Sequence, residues 1–161
     1  MDQKQFVHVL VRLRGEIDGR LKAFFQQKLE TEHPGATPLI RVMRDFVLNG
    51  GKRLRPTFLY YGYLAAGGTK RDTILDTAIS IELLHHYFLI HDDIIDQDQY
   101  RRGKLTVHSQ FEKRGEKRHI QDPPHYGHSM GIIAGDLLGA YCYEVIAMSV
   151  FPEKLRVRAI E

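Results

Sequence analysis

Apolar residues recur along most of this chain at intervals of three and four, with polar residues filling the gaps. Over residues 3–30, Phe6, Val9, Leu10, Leu13, Ile17, Leu21, Phe24 and Leu29 follow that spacing, which predicts one long helix. Gly15 and Gly19 weaken it slightly. TEHPGATP at 31–38 breaks the pattern, with Thr37 expected as a cap and Pro38 at the first helical position. The next helix has Leu39, Val42, Met43, Phe46 and Val47 on its apolar face and stops at Asn49-Gly50-Gly51. Another is expected from Pro56 to about Ala66, ended by GGT at 67–69. The central helix is expected from Thr73, capped by Asp72, to about Asp98. It is apolar through Ile74, Ala78, Ile81, Leu84, Phe88 and Ile95 and on other faces too, the pattern of a buried helix. RRGKLTVH leaves it as a loop, and residues 112–128, charged and holding Pro123-Pro124, read as an exposed, irregular connection. Residues 127–150 form another apolar helix, in which Gly127, Gly131, Gly135 and Gly139 make a stripe suited to close helix packing. Pro152 opens a last helix. No stretch reads as a strand, so the fold class is all-α.

Composition narrows the classes. A length of 161 residues fits one domain, large enough to bury roughly 70% of its unfolded surface. A net charge of +3 is too weak and dispersed for nucleic acid. The single cysteine, Cys142, excludes an intramolecular disulfide and fits a reducing, cytoplasmic location, with the thiol inert among apolar neighbours. The N-terminal MDQKQFVH has no apolar signal-peptide core, and no window of 18 uncharged apolar residues predicts a membrane span.

Chemistry concentrates between His85 and His108, in HHYFLIHDDIIDQDQYRRGKLTVH. Asp92 and Asp96 are four apart, so on a helix they share a face, roughly 6 Å from each other. Two such carboxylates repel, and each tends to raise the other's pKa. Mg²⁺ would remove that conflict, since it takes one or two carboxylates together with substrate phosphate. A lone pair of this kind is more often a solvated acidic helix end. Arg101 and Arg102 shift the balance, because two guanidinium forks after metal carboxylates can grip a diphosphate. His85 falls within about 40° of Asp92 and Asp96 on the helical wheel. Lys52, Arg53 and Arg55, before an expected helix start, read either as a solvated basic loop or as an anion site. His119, His125 and His128 lack the tight spacing of a zinc site.

DDIID followed four residues later by RRG resembles the first aspartate-rich motif of the trans-isoprenyl diphosphate synthases. GGKRLRP at 50–56, IELLHHYFLIHDD and AGDLL at 134–138 resemble further blocks of that family, in the family's order. The resemblance implies the N-terminal half of an all-α bundle of helices around a deep central cavity, spanning 1–161 as part of one domain. It implies a homodimeric, Mg²⁺-dependent prenyltransferase that joins an allylic diphosphate to isopentenyl diphosphate and releases pyrophosphate. In these roles Asp92 and Asp96 would be metal ligands, with Asp93 in the metal site nearby or just behind them. Arg101 would hold the allylic diphosphate, and Lys52, Arg55, His85 and Arg102 the isopentenyl diphosphate. Tyr87 and Phe88 would floor the cavity and set a C15 to C20 product. The family's second aspartate-rich motif does not occur here, so the chain alone is expected to be inactive. The long connection from His108 to Asp136 is expected as a surface insertion. A non-catalytic partner of a full-length synthase is the alternative; a terpene cyclase fits less well, given the GGKRLRP and RRG sites.

Overall fold

The computed structural model describes residues 3–161, and side chains from Val7 onward, so Phe6 lies outside the described side chains. Helix α1 (Gln3–Thr31) runs as the apolar spacing predicts. Leu13, Ile17, Leu21 and Phe25, one turn apart, are fully buried, whereas Phe24 is only half-buried. A 3-10 turn at Pro34–Ala36 leads into α2 (Thr37–Val47), where Ala36 rather than Thr37 takes the cap position. Its buried face is the expected one with Ile40 added.

Gly50 and Gly51 then adopt φ values of +79° and +118°, which only glycine enters readily. Helix α3 (Leu54–Ala65) begins two residues before Pro56, after Arg53 in a left-handed conformation at φ +51°. Helix α4 (Arg71–Ile95) is the central one. Asp72 is not its cap; it lies in the first turn, 3.0 Å from Arg20 of α1. The helix stops three residues short of Asp98, with Asp96 as its C-terminal cap residue.

The largest departures from the sequence reading follow α4. RRGKLTVH is not a plain loop. Strands β1 (Tyr100–Arg101) and β2 (Lys104–Leu105) pair antiparallel, Tyr100 opposite Leu105. The two turn residues, Arg102 at φ +51° and Gly103 at φ +74°, both take the left-handed region that a tight hairpin needs. The stretch read as an irregular surface connection is mostly helix. Helix α5 (Val107–Lys117) buries Val107, His108, Ser109, Phe111 and Gly115. Helix α6 (Pro123–Ala147) then starts on the two prolines themselves. They cost little in a first turn, whose N–H groups have no helical partner. Asp122 caps it by accepting a hydrogen bond from the His125 amide at 3.1 Å. His108 to Asp136 is therefore a packed helical hairpin, not a tolerated insertion. Helix α7 (Glu153–Ile160) follows Pro152 as expected.

The glycine stripe explains the packing. Helices α4 and α6 lie antiparallel: a Cβ on Gly131 would meet Ile94 at 2.8 Å, one on Gly135 would meet His91 at 2.2 Å, and one on Gly139 would meet Tyr87 at 3.3 Å. Gly127 sits against the His108 carbonyl of α5 in the same way, at 2.7 Å. Side chains of α4 thus drop onto bare backbone of α6. Lys28 ties α1 to α6, with its Nζ 2.6 Å from Glu144 and 4.5 Å above the Tyr141 ring. Among the described residues α6 is the one helix long and apolar enough to cross a membrane. Here its glycine face is buried against α4 and α5, as in a core helix.

Candidate functional site

The C-terminal end of α4, the hairpin and the glycine turn before α3 meet at one end of the bundle. Asp92 and Asp96 are both exposed there, on successive turns. Asp93 is different. Its side chain is 1% exposed, and Oδ1 accepts a hydrogen bond from Arg101 Nε at 2.6 Å. Its Oδ2 has no partner among the described residues. Burial pushes the Asp93 carboxyl pKa up, and the Arg101 guanidinium opposes that shift. The resemblance puts Asp93 near or just behind the two metal ligands, and here its side chain is enclosed and bonded to Arg101, because position 93 falls on the packed face of α4.

The hairpin turn brings Arg102 back onto the glycine turn. Its Nη1 donates to the Asn49 carbonyl at 3.1 Å and lies 3.4 Å from where a Gly51 Cβ would be. His85 is half-buried nearby. Burial holds its pKa down, and the charges of Arg55, Arg102 and Arg101 act in the same direction against Glu82. The imidazole is therefore neutral, in a surround of arginines. Lys52 and Arg55 are exposed on the same turn. Arg55, Arg101 and Arg102, far apart in sequence, thus all act on one half-buried histidine beside the glycine turn.

Arg53 plays another part. It is 2% exposed, with Nε 2.7 Å from Asp18 of α1, Nη1 2.6 Å from Glu82 of α4, and Nη2 donating to the Val47 carbonyl at 2.8 Å. It clamps the turn between Lys52 and Arg55 onto three helices. Removing one partner of such a buried pair typically costs about 3–5 kcal/mol. Sequence reading left Arg53 without a role, since its partners lie 35 and 29 residues away.

Among the described residues no three His, Cys, Asp or Glu side chains converge into a closed metal site. Two exposed carboxylates fit Mg²⁺ rather than a structural metal, because Mg²⁺ needs few protein ligands when phosphate supplies the others. Below them, Asp92 and Ile95 lie within about 40° of Phe88 around α4, and Asp136 and Tyr143 within about 40° of Ile132 around α6. Phe88 is 53% exposed on that open side. Tyr87 is half-buried at the α4–α6 seam, its ring 4.6 Å from that of His91. Deeper still, an apolar cavity of about 360 Å³ is lined by Leu59, Tyr63, Ile81, Leu84, Cys142 and Phe151, among others. Sequence reading also missed His91, whose Nε2 lies 3.5 Å from Asp136 across the Gly135 gap.

The profile of the polyprenyl synthetase family matches residues 37–160. The chain is 38% identical over 122 residues to the geranylgeranyl pyrophosphate synthase of Geoglobus acetivorans, covering 76% of this chain and 33% of that protein. It is 32% identical over 133 residues to the farnesyl diphosphate synthase of Haemophilus influenzae, covering 81% of this chain and 40% of that one. A solved structure, the geranylgeranyl pyrophosphate synthase of Corynebacterium glutamicum complexed with isoprenyl diphosphate and magnesium, aligns with a TM-score of 0.75 at 34% identity. That alignment covers 98% of this chain and 45% of the other. The chain spans between a third and two fifths of the length of these curated relatives.

Proposed function

The chain belongs to the polyprenyl synthetase family, a family of prenyltransferases, and on that premise we propose that it forms the diphosphate-binding half of a short-chain trans-prenyltransferase. The observation that carries this reading is the convergence of exposed Asp92 and Asp96 with Arg101, Arg102, His85 and the glycine turn. A non-catalytic partner need not keep that constellation, so its presence favours the enzyme.

The substrates are an allylic diphosphate and isopentenyl diphosphate. Arg101, held by Asp93, presents its fork to the allylic diphosphate. Lys52, Arg55, neutral His85 and Arg102 bind the isopentenyl diphosphate, His85 by hydrogen bonding without adding charge. Asp92 and Asp96 would hold Mg²⁺, which when bound would supply positive charge to offset the negative charge on the leaving group. The allylic C–O bond breaks and its electron pair leaves with the diphosphate. The isopentenyl double bond forms the new C–C bond, and a proton is lost to the released pyrophosphate. Apolar side chains along the open side keep water from the cation. The enzyme is a cytoplasmic homodimer on this reading, with the buried thiol of Cys142 suited to a reducing compartment. Phe88, one turn from Asp92 and above the apolar cavity, limits the product to C15 to C20.

The 161-residue chain is tested with labelled isopentenyl diphosphate, an allylic primer and Mg²⁺. No turnover is expected, and steady product formation would contradict the half-site reading. In a protein carrying both halves, Phe88→Ala lengthens the products. An unchanged distribution in a stable variant that also carries Tyr87→Ala would remove the aromatic floor.

A further inference from the structure

His86 has no part in the reading above. It is 1% exposed, and its ring packs edge-on against Phe46 at 5.7 Å between centroids. Its Nδ1 lies 2.8 Å from the Glu82 carbonyl oxygen. A carbonyl can only accept, so Nδ1 carries the hydrogen of the neutral ring. Burial first, then the charges of Arg53 and Arg102, hold the ring neutral against the hydrogen bond to the Glu82 carbonyl, with a pKa pushed down to about 3. Nε2 is therefore a lone-pair acceptor, and it is buried without a hydrogen-bond partner among the described residues. A buried acceptor in that state calls for an explanation.

The surroundings supply one. A cavity of about 10 Å³ is lined by Phe46, Asn49, His86, Leu89, Arg101 and Arg102. That is about the room one water occupies, and a buried water needs two to four polar partners. Guanidinium groups only donate, and His86 Nε2 only accepts. Arg101 uses its Nε on Asp93, and Arg102 one Nη1 bond on Asn49, so each has further N–H groups to offer.

We propose that His86 is a positioning residue for the arginine pair, acting through one water held in this cavity. The water donates to His86 Nε2 and accepts from the guanidinium groups of Arg101 and Arg102. Both forks are thereby fixed from beneath, before a diphosphate arrives. This rests on the reading that these arginines bind diphosphate.

The test uses the 161-residue chain and three variants. His86→Gln keeps an acceptor near the Nε2 position, whereas His86→Phe and His86→Leu keep apolar packing and lose it. In ¹⁵N spectra of the arginine side chains, the Nε–H signals of Arg101 and Arg102 should be sharp in the native chain and in His86→Gln. They should broaden in both apolar variants, at melting temperatures no lower than that of His86→Gln. Affinity for inorganic pyrophosphate in Mg²⁺ should fall on the order of tenfold in the apolar variants and recover in His86→Gln. Unchanged arginine signals in either folded apolar variant would overturn the proposal, as would His86→Gln behaving like His86→Leu. If Arg101→Ala and Arg102→Ala leave pyrophosphate affinity unchanged, the diphosphate reading fails instead, and the arginine spectra still decide the role of His86.

Discussion

Three buried or half-buried histidines, His85, His86 and His108, have pKa values lowered first of all by burial. Their neutral forms are the folded forms, while in the unfolded chain each takes up a proton near pH 6.5. The stability this contributes is whole above pH 6.5 and is lost as pH falls from there, for His86 down to about 3. Asp93 works the other way. Its raised pKa means that the folded state takes up a proton first, a gain confined to the acid end. Between pH 7 and 5 the histidines dominate. The melting temperature should therefore fall over that range, His86 alone contributing about 1.4 kcal/mol per pH unit once below pH 6. His86→Gln should flatten the profile. A flat native profile, or the same slope in both proteins, would show that these rings are not held neutral. At this scale the sequence placed Asp92, Asp96, His85, Arg101 and Arg102 at one end of the central helix. It could not show that Asp93 is buried, because burial at position 93 depends on which face of α4 meets the bundle. Nor could it give Arg53 a role, since Asp18 and Glu82 become its partners only once α1, α3 and α4 pack.

The seam between α4 and α6 is where sequence and structure agree best among the elements. Four glycines at a spacing of four predicted close approach, and Ile94, His91 and Tyr87 fill the spaces that side chains would otherwise take. Gly135→Ala would drive a methyl into the His91 ring, which would meet it at 2.2 Å. Denaturant unfolding should show a loss of about 1–3 kcal/mol. Gly15→Ala on α1, where a Cβ meets nothing within 4 Å, should gain up to about 1 kcal/mol. The same substitution thus changes sign with its neighbours, and equal effects at the two sites would contradict the seam. The elements after α4 were less legible. Charge and two prolines suggested a loop, yet Val107, Phe111 and Gly115 recur every four residues and form the buried face of α5. The prolines occupy the first turn of α6, a position where proline favours a helix start as readily as a loop. Strand propensity had no bearing on the hairpin, whose two-residue strands are set by the Arg102-Gly103 turn.

The whole molecule is an all-α bundle, shared with the isoprenyl synthases, that leaves one side of α4 and α6 open. Phe88, Ile95, Ile132 and Tyr143 are exposed there at 53%, 74%, 46% and 52%. So much apolar surface beside charged residues marks a face that meets another structure or a ligand. The chain corresponds to less than half of the related structure, which accords with an open side. In the proposed enzyme this face becomes the cavity wall down which a prenyl tail grows, and the polar end of α4 holds the diphosphates. That division of labour requires the polar end to recognise diphosphate through a metal. Calorimetric titration of the 161-residue chain with inorganic pyrophosphate, with and without Mg²⁺, measures this directly, beside a variant carrying Asp92→Asn and Asp96→Asn. The account predicts binding that depends on Mg²⁺ in the native chain and loses that dependence in the variant, at an unchanged melting temperature. Binding of equal strength in both proteins, with or without Mg²⁺, would contradict it.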